Sequence, residues 1–234
     1  MTHSAALPLP RDDAPLSRFA ILLMAVACGT MVANLYYAQT LIDVIGPEIG
    51  MSAGVAGLIT TLTQLGYGLG IILVVPLADL FENRRIVLIS AVATVLGCIA
   101  IALSNGPATF LIASVMTGVG ATGVQVLIPL ASHLAPPERQ GRVVGTVMSG
   151  LLFGIMLSRP IASFLAGSMG WRATFLLSAG VIALVAVALL IACPQRRPKG
   201  GMHYGEVLSS TFSQLGKYRV VRMRAFYQAS MFAA

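Results

Sequence analysis

Long apolar runs alternate with short polar breaks along this chain, six times over. The runs cover residues 19–41, 53–75, 86–103, 110–130, 143–166 and 174–191. Each approaches the roughly 20 residues that a helix rising ~1.5 Å per residue needs to cross a hydrocarbon core ~30 Å thick. Backbone polar groups find no partner in lipid, so runs of this length are expected as helices. The pattern predicts an all-α, polytopic membrane protein with six transmembrane helices.

The breaks differ in character. Connections 42–52, 104–109 and 167–173 are short, and 78–85 and 132–142 are short but charged. The stretch from 192 to about 219 is longer and holds Pro194, Pro198 and two adjacent glycines; its 204–215 portion reads as a surface helix. The organisation expected is a tail (1–18), a six-helix lobe (19–193), a basic linker (194–219) and the beginning of a seventh helix (220–234). Only ten residues follow Arg224, about 15 Å of helix and half a bilayer.

Composition agrees with a lipid setting. Hydrophobic residues make up 57% of the 234 and charged residues 10%, against about 25% charged in soluble domains. Placement explains the net charge of +7. Arg11, Arg18, Arg84, Arg85, Arg139, Arg142, Arg196, Arg197, Lys199, Lys217, Arg219, Arg222 and Arg224 fall on one side of the spans, 13 of the 15 cations. Cations gather on the cytoplasmic side of membrane proteins, which predicts a multi-pass membrane protein with a cytoplasmic N-terminus. Lipid headgroups are the natural counterions. No basic stripe interleaved with aromatics suggests nucleic acid. Cys28, Cys98 and Cys193 lie in or beside apolar runs, at spacings that fit neither a disulfide framework nor a zinc site. No nucleotide loop or catalytic triad is recognisable, so enzymatic chemistry and a cofactor are not expected.

The segment Val75-Pro76-Leu77-Ala78-Asp79-Leu80-Phe81-Glu82-Asn83-Arg84-Arg85 resembles the signature loop between helices two and three of the major facilitator superfamily. Leu77, Ala78, Asp79, Arg84 and Arg85 match that signature. Val75 and Glu82 replace its glycines, and Leu80 and Asn83 replace arginines. Asn34 to Gln39 and Gly170 to Phe175 are similar to stretches of its bacterial drug and solute exporters. The resemblance covers residues 15–234 and implies the N-terminal half of a twelve-helix transporter, its six helices arranged as 3+3 repeats.

It further implies secondary active transport, namely efflux of a small amphipathic solute or drug by alternating access, with protons as a candidate coupling ion. One lobe cannot enclose a midplane site. The chain is therefore expected to be inactive alone and to need a missing C-terminal half or a second copy. A receptor or assembly scaffold that transports nothing is the alternative. Asp79, Arg84 and Arg85 are implied as a conformational latch, the aspartate facing a helix N-terminus of the other lobe.

Polar residues inside the runs supply the cavity candidates: Asn34, Tyr37 and Gln39 in the first, Gln64 in the second with Tyr67 beside it, Gln125 in the fourth and Arg159 in the fifth. Family members line the cavity with helices one and four, which puts Asn34, Tyr37 and Gln125 foremost. Interhelical hydrogen bonding is the competing use of such residues. Arg159 stands ~24 Å into its helix, where charge is costly unless it faces a cavity or snorkels to headgroups. Pro160 beside it can kink the helix. Small residues four apart, at Gly66 and Gly70, at Gly141, Gly145 and Ser149, and at Gly150, Gly154 and Ser158, predict close helix packing.

Overall fold

The computed structural model describes residues 16–195 and 203–233. Arg11 and most of the predicted tail, and Arg196, Arg197 and Lys199 of the linker, lie outside the described residues. Eleven α-helices are present among the described residues: α1 (Arg18–Thr40), α2 (Ile42–Glu48), α3 (Ala53–Ala56), α4 (Leu58–Leu73), α5 (Asn83–Ala102), α6 (Pro107–Ala121), α7 (Gly123–Leu134), α8 (Gln140–Met169), α9 (Trp171–Ala192), α10 (Tyr204–Lys217) and α11 (Arg219–Ala233). Six apolar helical stretches are long enough to span a bilayer: Arg18–Thr40, Gly54–Asp79, Asn83–Ala102, Pro107–Leu134, Pro137–Met169 and Trp171–Ala192.

Several stretches outrun the apolar runs because their polar ends stay helical. Pro107 and Pro137 take first-turn positions, where a missing N–H costs nothing. The fourth span is two helices that meet at Thr122, whose hydroxyl donates to the Val119 carbonyl. The second closes on a 3-10 turn at Val75–Asp79. Pro160 sits within α8, which remains continuous to Met169. The expected loop at 42–52 instead holds α2, which buries Ile45, while Ile49 and Met51 are buried just beyond it. Gly170, at φ +85°, turns the chain from α8 into α9, a conformation that disfavours any side chain.

Two of the small-residue stripes form seams. A Cβ on Gly154 would collide with the Gly29 carbonyl oxygen, and one on Gly150 with that of Ala25, so α1 rests directly on α8. Gly66 and Gly118 do the same between α4 and α6, where a Cβ would strike the carbonyl oxygens of Val115 and Thr63. The stripe through Gly141 and Gly145 does not pack: nothing lies within 4 Å of either position. Those residues sit on the face of α8 turned away from α1, so spacing without phase was misleading there.

The lobe is held around α1 and the α6–α7 pair. α1 runs along α8, α4 against α6, and α5 against both α6 and α9. α4, α8 and α9 leave most of their apolar surface uncovered, including Leu65, Leu69, Leu152, Phe153, Leu184 and Ile191. In a bilayer such surface meets lipid or another helix bundle.

Candidate functional site

On one flank of α1, Tyr36 packs with Tyr67 of α4 and with Leu151 and Ile155 of α8 around buried Val32, Leu35 and Ala121. Gln125 Nε2 of α7 donates to the Tyr67 hydroxyl at 2.8 Å. Both partners are half-buried. Four helices thus converge on a layer whose polar atoms are two phenols and an amide.

Helix periodicity extends this layer. Gln39 follows Tyr36 by three residues, Gln64 precedes Tyr67 by three, and Arg159 follows Ile155 by four. Residues three or four apart share a helix face. α1 and α8 run one way through the lobe and α4 the other, so all three lie one turn towards the end away from the basic loops. Gln64 and Arg159 are exposed and Gln39 is half-buried. Arg159 has no ion-pair partner among the described residues. Gln39, Gln64, Gln125 and Arg159 therefore flank one surface, and Tyr36 and Tyr67 complete it. Tyr36 did not stand among the candidates; the tyrosine pair at 36 and 37 was the signal for it.

Asn34 and Tyr37 do not join this surface. Asn34 is 1% exposed. Its Nδ2 donates to the Thr30 carbonyl at 2.9 Å, and its Oδ1 accepts from Cys98 Sγ of α5 at 3.1 Å and Ser178 Oγ of α9 at 2.9 Å. Both polar atoms of the amide are committed, and the residue ties three helices together. Tyr37 is buried with its ring edge-on to Phe175 of α9, centroids 6.4 Å apart. One step along a helix turns ~100°, which carries Tyr37 away from the flank that Tyr36 occupies.

At the basic end, Glu82 rather than Asp79 is the acid that pairs with the arginines. Its side chain is 4% exposed and lies 3.4 Å from Arg84 Nε and 2.9 Å from Arg85 Nε. Glu82 is the cap residue of α5, where the positive helix end also favours a carboxylate. Arg84 Nη1 reaches across to the carbonyls of Leu190 at 3.0 Å and Cys193 at 3.2 Å, closing the C-terminus of α9. Burial pushes the Cys193 thiol up to about 11, against the opposing pull of Arg84. Asp79 ends the 3-10 turn, exposed and without an ion pair among the described residues.

The opposite end carries its own cluster. Glu48 of α2 accepts from Trp171 Nε1 and is bridged by Arg172 of α9. Arg172 also donates to the Ser104 carbonyl at 3.3 Å and stacks its guanidinium 4.1 Å from the Trp171 ring centre. These hydrogen bonds, first from Trp171 and then from Arg172, hold the Glu48 carboxyl below its ordinary value. All three cysteines are buried and unbridged. No group of three or more metal-binding side chains exists among the described residues.

Comparison with known proteins places this architecture. The Major Facilitator Superfamily profile matches residues 19–234. The uncharacterized transporter YgaY of Escherichia coli O157:H7 is 40% identical over 225 residues, covering 96% of this chain and 57% of that protein. The purine ribonucleoside efflux pump NepI of Escherichia coli O6:K15:H31 is 24% identical over 64% of this chain and 38% of its own length. The fold matches a bacterial homologue of the human lysosomal transporter Spinster, solved inward-facing and unoccupied. The TM-score is 0.67 at 18% identity, over 81% of this chain and 45% of that one. The chain thus spans about half the length of the curated relatives it matches, and it belongs to the major facilitator superfamily of membrane transporters.

Proposed function

We propose that these residues form the N-terminal lobe of a secondary transporter that exports a small amphipathic solute by alternating access. The observation that carries this reading is the polar layer of Tyr36, Tyr67 and Gln125, flanked by Gln39, Gln64 and Arg159 and bordered by uncovered apolar helices. A site that orients an amphipathic molecule needs a few polar groups among apolar and aromatic walls. Two phenols and an amide supply donors, acceptors and ring faces without a fixed charge. Likeness to a purine ribonucleoside efflux pump supports export as the direction.

The second lobe, or a second copy, supplies the facing half of the site, and rocking between the two exposes it alternately. Asp79, unpaired within the described lobe, is the group left to meet that partner at the basic end. Arg84 and Arg85, held by Glu82, set its surroundings. Protons are the proposed coupling ion, with the titrating group supplied by the other lobe: Asp43, Glu48, Asp79, Glu82, Glu138 and Glu206 all lie at helix ends or outside the spans. The orientation proposed puts the basic end in the cytosol of a bacterial cell.

The test is transport in proteoliposomes. The 234-residue chain alone should give no solute flux. Co-reconstitution with the C-terminal half of YgaY should give flux that Tyr67→Phe and Gln125→Leu each reduce roughly tenfold, the worth of one lost hydrogen bond to the solute of ~1.4 kcal/mol. Undiminished flux in the double variant would refute the assigned site. Flux by the chain alone would refute the need for a partner.

A further inference from the structure

Three arginines at the basic end remain outside the transport reading. Arg18 begins α1, Arg139 precedes α8 and Arg142 lies in its first turn. All three line one cleft of about 540 Å³ between the two helix starts, with Leu22, Val143 and Thr146. None has an ion-pair partner among the described residues. Elsewhere in the lobe Glu82 pairs with Arg84 and Arg85 and Glu48 with Arg172, while Arg159 stands by itself towards the opposite end. Three uncompensated cations facing one space call for an anion.

The cleft does not end at the arginines. Leu22 also lines a second hollow of about 310 Å³ that runs on between α1 and α8. Its floor is the glycine seam, where Gly29, Gly150 and Gly154 contribute no side chain, and its walls include Val26, Phe153 and Leu157. Thr30, its polar wall residue beside the Tyr37 phenol, spends its hydroxyl on the Val26 carbonyl at 2.9 Å. From Leu22 to Tyr37 the groove extends about 22 Å along α1, more than the ~15 Å depth of one hydrocarbon leaflet. It opens on the flank of α1 where Tyr37 meets α9, not on the flank of Tyr36 and Tyr67.

We infer that this continuous slot holds one anionic phospholipid, its phosphate among Arg18, Arg139 and Arg142 and one acyl chain along the glycine-floored groove. Basic pockets between transmembrane helices recognise such headgroups through charge, and arginine forks suit phosphate oxygens. The apolar extension selects a lipid over free phosphate, which would leave the groove unfilled. A lipid seated there fills the hollow between α1 and α8, and so stiffens the contact between those helices at the end that carries the Glu82 cluster.

Native mass spectrometry of the 234-residue chain, released from detergent with equal amounts of phosphatidylglycerol and phosphatidylcholine, tests this. One phosphatidylglycerol should be retained preferentially. Arg139→Gln with Arg142→Gln should weaken retention at least tenfold, since each arginine near an anionic headgroup is worth roughly fivefold. Val26→Trp, which fills the groove and leaves every charge in place, should weaken it as much. Arg219→Gln with Arg222→Gln removes equal charge elsewhere and should change nothing. Equal loss in that control would reduce the effect to bulk charge and overturn the site. Displacement of the lipid by millimolar inorganic phosphate, retention unchanged in Val26→Trp, or a lipid-free dimer in its place would also overturn it.

Discussion

Asn34 and Gln125 are both amides within helices, yet their surroundings assign them opposite work. Asn34 has three partners and no open side, so Asn34→Leu should lower stability by about 1 kcal/mol, the sum of two interhelical bonds at ~0.6 each. Unfolding of the purified chain in detergent reads this directly, and Gln125→Leu, which loses one bond, should cost about half as much. Glu48 gives a pH signature. Its carboxyl is held below the ordinary 4.5 by Trp171 and Arg172. A depressed carboxylate stabilises the fold above its ordinary value, and that contribution disappears as pH falls through the lowered one. The unfolding midpoint should therefore drop on acidification below about 4.5 more steeply in the native chain than in Glu48→Gln. The sequence revealed which residues in the first span were polar but not which way they faced. α1 is apolar nearly all round, so no stripe sets its phase, and Asn34, Tyr36 and Tyr37 could not be sorted without the neighbouring helices.

Among the elements, span number and order were readable because a bilayer fixes length and forbids unpaired backbone. Seams were readable only in part. Gly150 and Gly154 bear on α1 whereas Gly141 and Gly145 bear on nothing, and the four-residue spacing is the same in both. Substitution separates them. Gly154→Val must push Gly29 away and should cost about 1–3 kcal/mol, as overpacking does. Gly145→Ala meets open space and should stabilise the helix by about 0.5–1 kcal/mol. Chemical unfolding of both variants checks the pair, and equal effects would mean that α8 is rotated from the position described. The charge cluster shows a different limit. The signature loop points to Asp79, while Glu82, a departure from that pattern, is the partner because it stands at the N-terminal end of α5 beside two arginines. Glu82→Gln should cost about 2 kcal/mol by leaving those cations uncompensated, and Asp79→Asn should leave the isolated lobe as stable as before.

For the whole molecule, the two clusters sit at opposite ends and both act on α9: Arg84 closes its C-terminus, and Trp171 and Arg172 of its first turn are tied to α2 and to Ser104, two residues beyond α5. Between them Asn34 joins α9 to α1 and α5 at mid-depth. Spin labels on α1 and α9 should accordingly keep one distance whether or not solute and a second lobe are present; a bimodal distribution would show that the bundle itself opens. The glycine seams carry a mechanical corollary. Where the backbone of α1 lies on α8 and that of α4 on α6, there is no cushion of side chains to compress or re-rotate. A push on α1 therefore passes undamped to α8, and one on α4 to α6, so each pair acts as a single lever.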